Sequence, residues 1–107
     1  MPVGYIKPST RRDKKWMVHI QWLGGETRTI HFGAKGYQDY TTHGDSARQA
    51  RYITRHRSRE DWGRSGMRTA GFWSRWLLWN KRTLDQSKRD VAKRFGVTWR
   101  RGWPKQA

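Results

Sequence analysis

The sequence contains no cysteine among its 107 residues. That excludes disulfides and thiolate metal sites, and it removes one cue for a cross-linked secreted fold. Long apolar runs are missing too. The longest, Trp76-Leu77-Leu78-Trp79, is four residues, against the roughly 18–20 that a membrane-spanning helix needs. No apolar stretch of the secretory-signal type opens the chain, so synthesis in the cytoplasm is expected. Negative charge is scarce: eight Asp and Glu stand against 24 Lys and Arg, a formal charge of +16.

A chain of this length supports one domain and buries only about 65% of its surface. Its core must come from few, large residues. Eight Trp, four Tyr and three Phe meet that need in a sequence whose mean hydropathy is −1.15, since each aromatic buries about 150–250 Å². The charge is uneven. Residues 1–45 carry a net +3 and residues 46–107 a net +13. Self-repulsion on that scale opposes a compact fold unless a polyanion screens it. With a pI near 11.4, the expected partner is nucleic acid, double-stranded DNA first. Acidic membranes and acidic protein surfaces compete for that role, and the reading takes no membrane and no small-molecule substrate.

The chain reads as an N-terminal arm (1–13), a single α+β domain (14–96) and a basic C-terminal tail (97–107). Tyr5-Ile6-Lys7 is a short strand or part of an extended arm. From Lys14 to Trp22 the residues alternate, with Trp16, Val18, Ile20 and Trp22 on one face and Lys15, Met17, His19 and Gln21 on the other. That is the period of a half-buried strand. Leu23-Gly24-Gly25-Glu26 turns it back, and Thr27–Phe32 is the return strand. Residues 33–45 form a loop. Asp45 caps a helix from Ser46 to about Arg59. Phe72–Trp79 is a second helix. Thr83 and Gln86 make a capping box for a third, which Gly96 ends. The architecture is therefore an N-terminal antiparallel hairpin or small sheet followed by about three helices.

Three constellations bear on function. Arg48, Arg51, Arg55 and Arg59, spaced three, four and four, fall on one face of the first helix, with Arg57 beside them. Like charges at those spacings oppose the helix unless an anion lies along them, and guanidinium forks suit phosphate oxygens. The competing account is a solvated face paired with Glu60 or Asp61. Lys93, Arg94, Arg100 and Arg101 extend the basic footprint. Second, Trp73, Trp76 and Trp79 interleave with Arg75, Lys81 and Arg82, a pattern that can stack unpaired bases. In that helix a core role has the stronger claim for Phe72, Trp73, Trp76, Leu77 and Trp79. Trp99 and Trp103, in the tail, dock on the domain, on a protein partner or on nucleic acid. Third, Asp39, His43, Asp45, His56, Glu60 and Asp61 are candidates for a metal-dependent nuclease. Their spacing matches no metal or nucleophile motif, and Asp39, His43 and Asp45 are equally explained as loop-closing and capping residues. The expectation is a non-enzymatic protein with no metal and no cofactor.

The stretch from Ile30 to Phe95 holds His31-Phe32-Gly33, Gly36-Tyr37, Asp39-Tyr40-Thr41, His43, Arg51-Tyr52-Ile53, Arg55-His56, Glu60, Trp62, Thr69-Ala70-Gly71-Phe72-Trp73-Ser74-Arg75-Trp76 and Leu78-Trp79-Asn80-Lys81. Over these residues, about two thirds of the chain, it resembles a family of short basic proteins of unknown function from large double-stranded DNA viruses and phages. It departs from that pattern at Arg82, where Pro is expected before Thr83. The resemblance implies a viral protein made in the host cytoplasm. Within that setting the expected function is a minor virion component between shell protein and packaged DNA, with a replication-time nucleic-acid binder as the alternative.

Overall fold

The computed structural model describes residues 1–105. The first third of the chain supplies three strands, β1 (Val3–Pro8), β2 (Lys14–Gln21) and β3 (Thr27–Ala34). They pair antiparallel in succession. A two-residue strand, β4 (Thr98–Trp99), runs parallel to β1 on its free side, giving the order β3-β2-β1-β4. The β2–β3 turn closes where expected: Trp22 N–H donates to Glu26 O (2.9 Å), with Gly25 at φ 93°, a dihedral that glycine adopts without strain.

Of the two expectations for Tyr5-Ile6-Lys7, the short strand holds: these residues lie in β1, so the N-terminal segment is part of the sheet. Six residues of β1 pair with β2, which makes β1 an inner strand of the sheet. The tail also joins it. Thr98 N–H donates to Pro2 O and Arg100 N–H to Gly4 O, both at 2.9 Å. Gly4 admits this approach, because a Cβ there would lie 2.9 Å from the Trp99 ring. Gln106 and Ala107, the last residues of the expected tail, lie outside the described residues.

The helical layer covers one face of the sheet. Val18, Ile20 and Phe32 are fully buried there, against Phe72, Trp73, Leu77 and Val91. Burying Trp73 alone removes on the order of 200 Å² from water, about 5 kcal/mol at 25 cal per Å². Its indole N–H is satisfied by Met67 O at 2.8 Å. The core role expected for the aromatic helix thus holds for Phe72, Trp73 and Leu77, whereas Trp76 and Trp79 are only partly buried. The other face of β2 departs from a half-buried strand. Met17 and His19 are buried as well, because Tyr5, Thr10 and Trp103 lie over them.

The loop expected over residues 33–45 contains a helical turn, α1 (Tyr40–His43), capped by Asp39. Next comes α2 (Ser46–His56), with Asp45 as its N-cap, accepting from the amides of Ala47 and Arg48. It stops three residues short of Arg59. The aromatic helix begins earlier than expected, as α3 (Ala70–Trp73), capped by Thr69, and continues through a π turn over Ser74–Leu78. Intervals of four and five residues place Leu77 and Leu78 on the buried side of Phe72 and Trp73, which the wider turn accommodates. The last helix, α4 (Leu84–Phe95), has the expected Thr83–Gln86 capping box and ends at Gly96, φ 71°.

Candidate nucleic-acid interface

α2 is the least embedded of the long elements. None of its residues is buried, so two side chains tether it. The ring of Tyr52 stacks on Trp79, and Gln49 Nε2 donates to the carbonyls of Trp79 (2.9 Å) and Asn80 (2.8 Å). The flank beside Tyr52 is left to arginine: Arg48, Arg51 and Arg55 line one shallow depression with Tyr52 and Trp79. Arg51 and Arg55 are exposed, and Arg48, half-buried, donates to Gln38 Oε1 at 3.0 Å. Arg59 has left the ridge, because the helix ends before it. Its guanidinium folds back to the Arg55 carbonyl, 3.5 Å away, where a cation complements the helix C-terminus. Arg57 is exposed at the C-cap.

The ion pairs among the described residues are Arg11–Asp13, Lys15–Asp39, Arg68–Glu26 and Arg94–Asp90. None involves α2. Glu60 and Asp61 therefore do not neutralise the ridge: Asp61 is held by Ser65 and by the amide of Gly63. These bonds, Ser65 foremost, lower its pKa from the ordinary aspartate value.

The remaining basic residues have different settings. Lys93 is exposed on α4. Arg94, one residue on, is engaged by Asp90 at 2.7 Å and lies 4.7 Å from the Trp76 ring centroid. Arg100 and Arg101 are exposed beyond β4. The fold thus brings Arg48, Arg51 and Arg55 together on one helix and leaves Lys93, Arg100 and Arg101 on other elements. Of the two tail tryptophans, Trp99 docks on the domain itself: its indole N–H donates to Lys88 O (2.9 Å) and its ring meets Trp73 edge-on. Trp103 rests between Lys7 and His19 and stays partly exposed. The Arg/Trp interleaving is largely internal. Arg75 lies against the rings of Trp62 and Trp76 and donates to Trp79 O. Burial draws its guanidinium pKa below the ordinary arginine value.

The candidate catalytic groups are mostly engaged in local structure. Asp39 accepts from Lys15 Nζ at 2.6 Å while capping α1, and Asp45 caps α2. The Arg48 amide foremost, with that of Ala47, lowers the pKa of Asp45. His43 Nδ1 accepts from the Asp45 amide at 2.9 Å. Asp39, His56 and Glu60 border one depression of about 390 Å³ between the sheet, α2 and the π turn. Among the described residues no three His, Asp or Glu are arranged to hold a metal ion.

One basic cluster joins Lys81 and Arg82, which the sequence offers in the Arg/Trp interleaving, to Arg89, which it does not. Lys81, Arg82 and Arg89 surround a depression of about 550 Å³ completed by Tyr40, Asn80 and Gln86. Its signal was faint, because its cations come from a loop and from one turn of a helix, with no run of charge.

A model of a family of unknown function (DUF5754) matches residues 4–56. The match spans β1 to the end of α2, including Arg48, Arg51 and Arg55, and takes in just under half the chain. No curated protein and no solved structure matches.

Proposed function

We propose that this chain is a non-enzymatic nucleic-acid-binding protein that holds the phosphate backbone, of duplex DNA in the first instance, on the arginine face of α2 without reading base sequence. The observation that carries the reading is the absence of any ion pair to the arginines of α2 among the described residues. Like charges at three- and four-residue spacing each oppose the helix by about 0.2–0.5 kcal/mol. An anion lying along the row removes that cost and gains charge-assisted hydrogen bonds. The +16 charge adds long-range attraction. The non-enzymatic part rests on the use of Asp39 and Asp45 as caps.

The biological setting in this proposal is a virus particle, where the protein lies between shell protein and packaged DNA. That part rests on the resemblance together with the charge. Stoichiometric presence in purified virions supports it, and absence there moves the same binding activity to genome replication.

Duplex titrations at several salt concentrations test the binding itself. Each phosphate contact steepens the log–log salt dependence by about 0.9 for duplex DNA. A slope of about −3 or steeper, equal for unrelated sequences, is expected. A flat slope, or no binding at low salt, refutes the proposal.

A further inference from the structure

We infer that Lys81, Arg82 and Arg89 form a second phosphate-binding site, built on the loop before α4 and its second turn and adjoining the arginine face of α2. The depression they line contains no carboxylate: its other walls are Tyr40, Asn80 and Gln86. The nearby acids are accounted for. Asp90 is held by Asn80 and Arg94, both at 2.7 Å, and Asp85 is not part of the lining. Neither Lys81 nor Arg89 has an ion pair among the described residues, and both are exposed. Three cations converging on a concave surface with no carboxylate in its lining suit a phosphate group, with its several acceptor oxygens and negative charge.

The geometry also fixes one member of the trio and links the site to α2. Arg82 donates from Nη1 to the Tyr40 carbonyl at 2.7 Å, with its guanidinium over the Tyr40 ring at 5.8 Å. This clamp needs the space left at Gly44, where a Cβ would lie 2.5 Å from Arg82 Nε. Gly44 caps the end of α1, one residue before the N-cap of α2. From the other side, Gln49 of α2 bonds the Asn80 carbonyl. The two basic surfaces are therefore joined by two direct tethers, Arg82 to α1 and Gln49 to the 79–80 backbone. A single phosphate backbone crossing α2 can continue onto Lys81 and Arg89. Naming nucleic acid as the source of the phosphate rests on the proposed function; the anion site itself does not.

The test compares the wild type with Lys81→Ala/Arg89→Ala, which leaves the Arg82 clamp in place, and uses two probes: a short mixed-sequence duplex and inorganic pyrophosphate. The variant is expected to melt like the wild type and to lose about 1.8 from the salt slope, two contacts at about 0.9 each. Pyrophosphate is expected to shift the backbone amide resonances of residues 81–89 in the wild type and not in the variant. An unchanged salt slope together with unmoved amides overturns the second site while leaving the α2 reading standing. Pyrophosphate shifts confined to residues 81–89 in a protein that binds no duplex would uphold the site and refute the proposed function.

Discussion

The ring of Tyr52 lies on that of Trp79 with centroids 4.3 Å apart and planes 3° from parallel. This contact, with the Gln49 bonds to the same segment, holds a helix that buries no residue of its own. Tyr52→Ala is therefore expected to free α2 without unfolding the sheet. An aromatic pair is worth about 0.5–1.5 kcal/mol beyond its area burial, so a local loss of about 2 kcal/mol is expected, roughly 30-fold in hydrogen-exchange protection. Amides of residues 49–56 should lose protection while those of Val18 and Phe32 keep theirs. Uniform loss across both sets would show that α2 is integral to the core.

Arg51→Ala/Arg55→Ala should leave the melting temperature unchanged or raise it slightly. Exposed substitutions change stability by less than about 0.5 kcal/mol, and removing two stacked like charges relieves repulsion. Duplex affinity should fall and the salt slope flatten. Trp73→Ala, at a fully buried site, should cost about 3–5 kcal/mol. If the double arginine variant melts as low as Trp73→Ala, the arginines are structural and the proposed interface fails.

Features governed by neighbouring residues were legible in the sequence. The strand alternation from Lys14, the Gly24-Gly25 turn, the Asp45 cap and the Thr83–Gln86 box all depend on chemistry within a few residues, and each stands where its pattern placed it. What eluded the sequence depends on distant partners. Trp99 packs against Gly4 and Trp73, so the inner position of β1 and the docking of the tail arise from a contact across almost the whole chain. Which tryptophan of the aromatic helix is fully buried follows from the π turn, and helical periodicity does not announce it. For the interface, spacing identified Arg48, Arg51 and Arg55. The loss of Arg59 follows from where α2 ends, and the cluster of Lys81, Arg82 and Arg89 requires α1 and the 80–82 loop to meet.

Alkaline pH should weaken the fold through Tyr52. Burial foremost, then the nearby Glu60 charge, pushes its phenol pKa up to about 12. The folded protein then retains a proton that the unfolded chain loses near pH 10. Stability is expected to be level below pH 10 on this account and to fall between about pH 10 and 12 as the unfolded form ionises first. Chemical denaturation of the wild type and Tyr52→Phe across that range isolates the effect. The phenylalanine variant should lose less stability, by on the order of 2 kcal/mol at the top of the range. Parallel curves would place the Tyr52 hydroxyl in a water-like environment.

Acid should act at the junction of α1 and α2 through His43. Its Nδ1 accepts the Asp45 amide proton, so in this arrangement the neutral ring carries its own proton on Nε2. Desolvation, and then the charge of Arg48, lowers its pKa from the usual histidine value; Arg82 acts in the same sense, and Asp45 and Asp39 oppose it. The sign follows from linkage: below about pH 6.5 the unfolded chain takes up the proton before the folded one does. The contribution of His43 is thus present above that pH and is lost as pH falls through its depressed folded value. Protonating Nδ1 also removes the acceptor for the amide of Asp45, the residue that caps α2. Burial lowers the pKa of His19 and, foremost among its causes, that of His31 as well, so the wild type should show a summed fall in melting temperature from pH 7 to pH 5. His43→Phe keeps a ring beside Tyr40 and Trp79 but neither accepts nor titrates. It should melt lower than the wild type at pH 7, and the gap should narrow at pH 5. Protection of the Ala47 and Arg48 amides, corrected for intrinsic exchange, should drop with pH in the wild type and stay level in the variant. A gap that holds constant from pH 7 to pH 5 would mean that His43 takes up its proton equally in the folded and unfolded chain, so that folding does not lower its pKa.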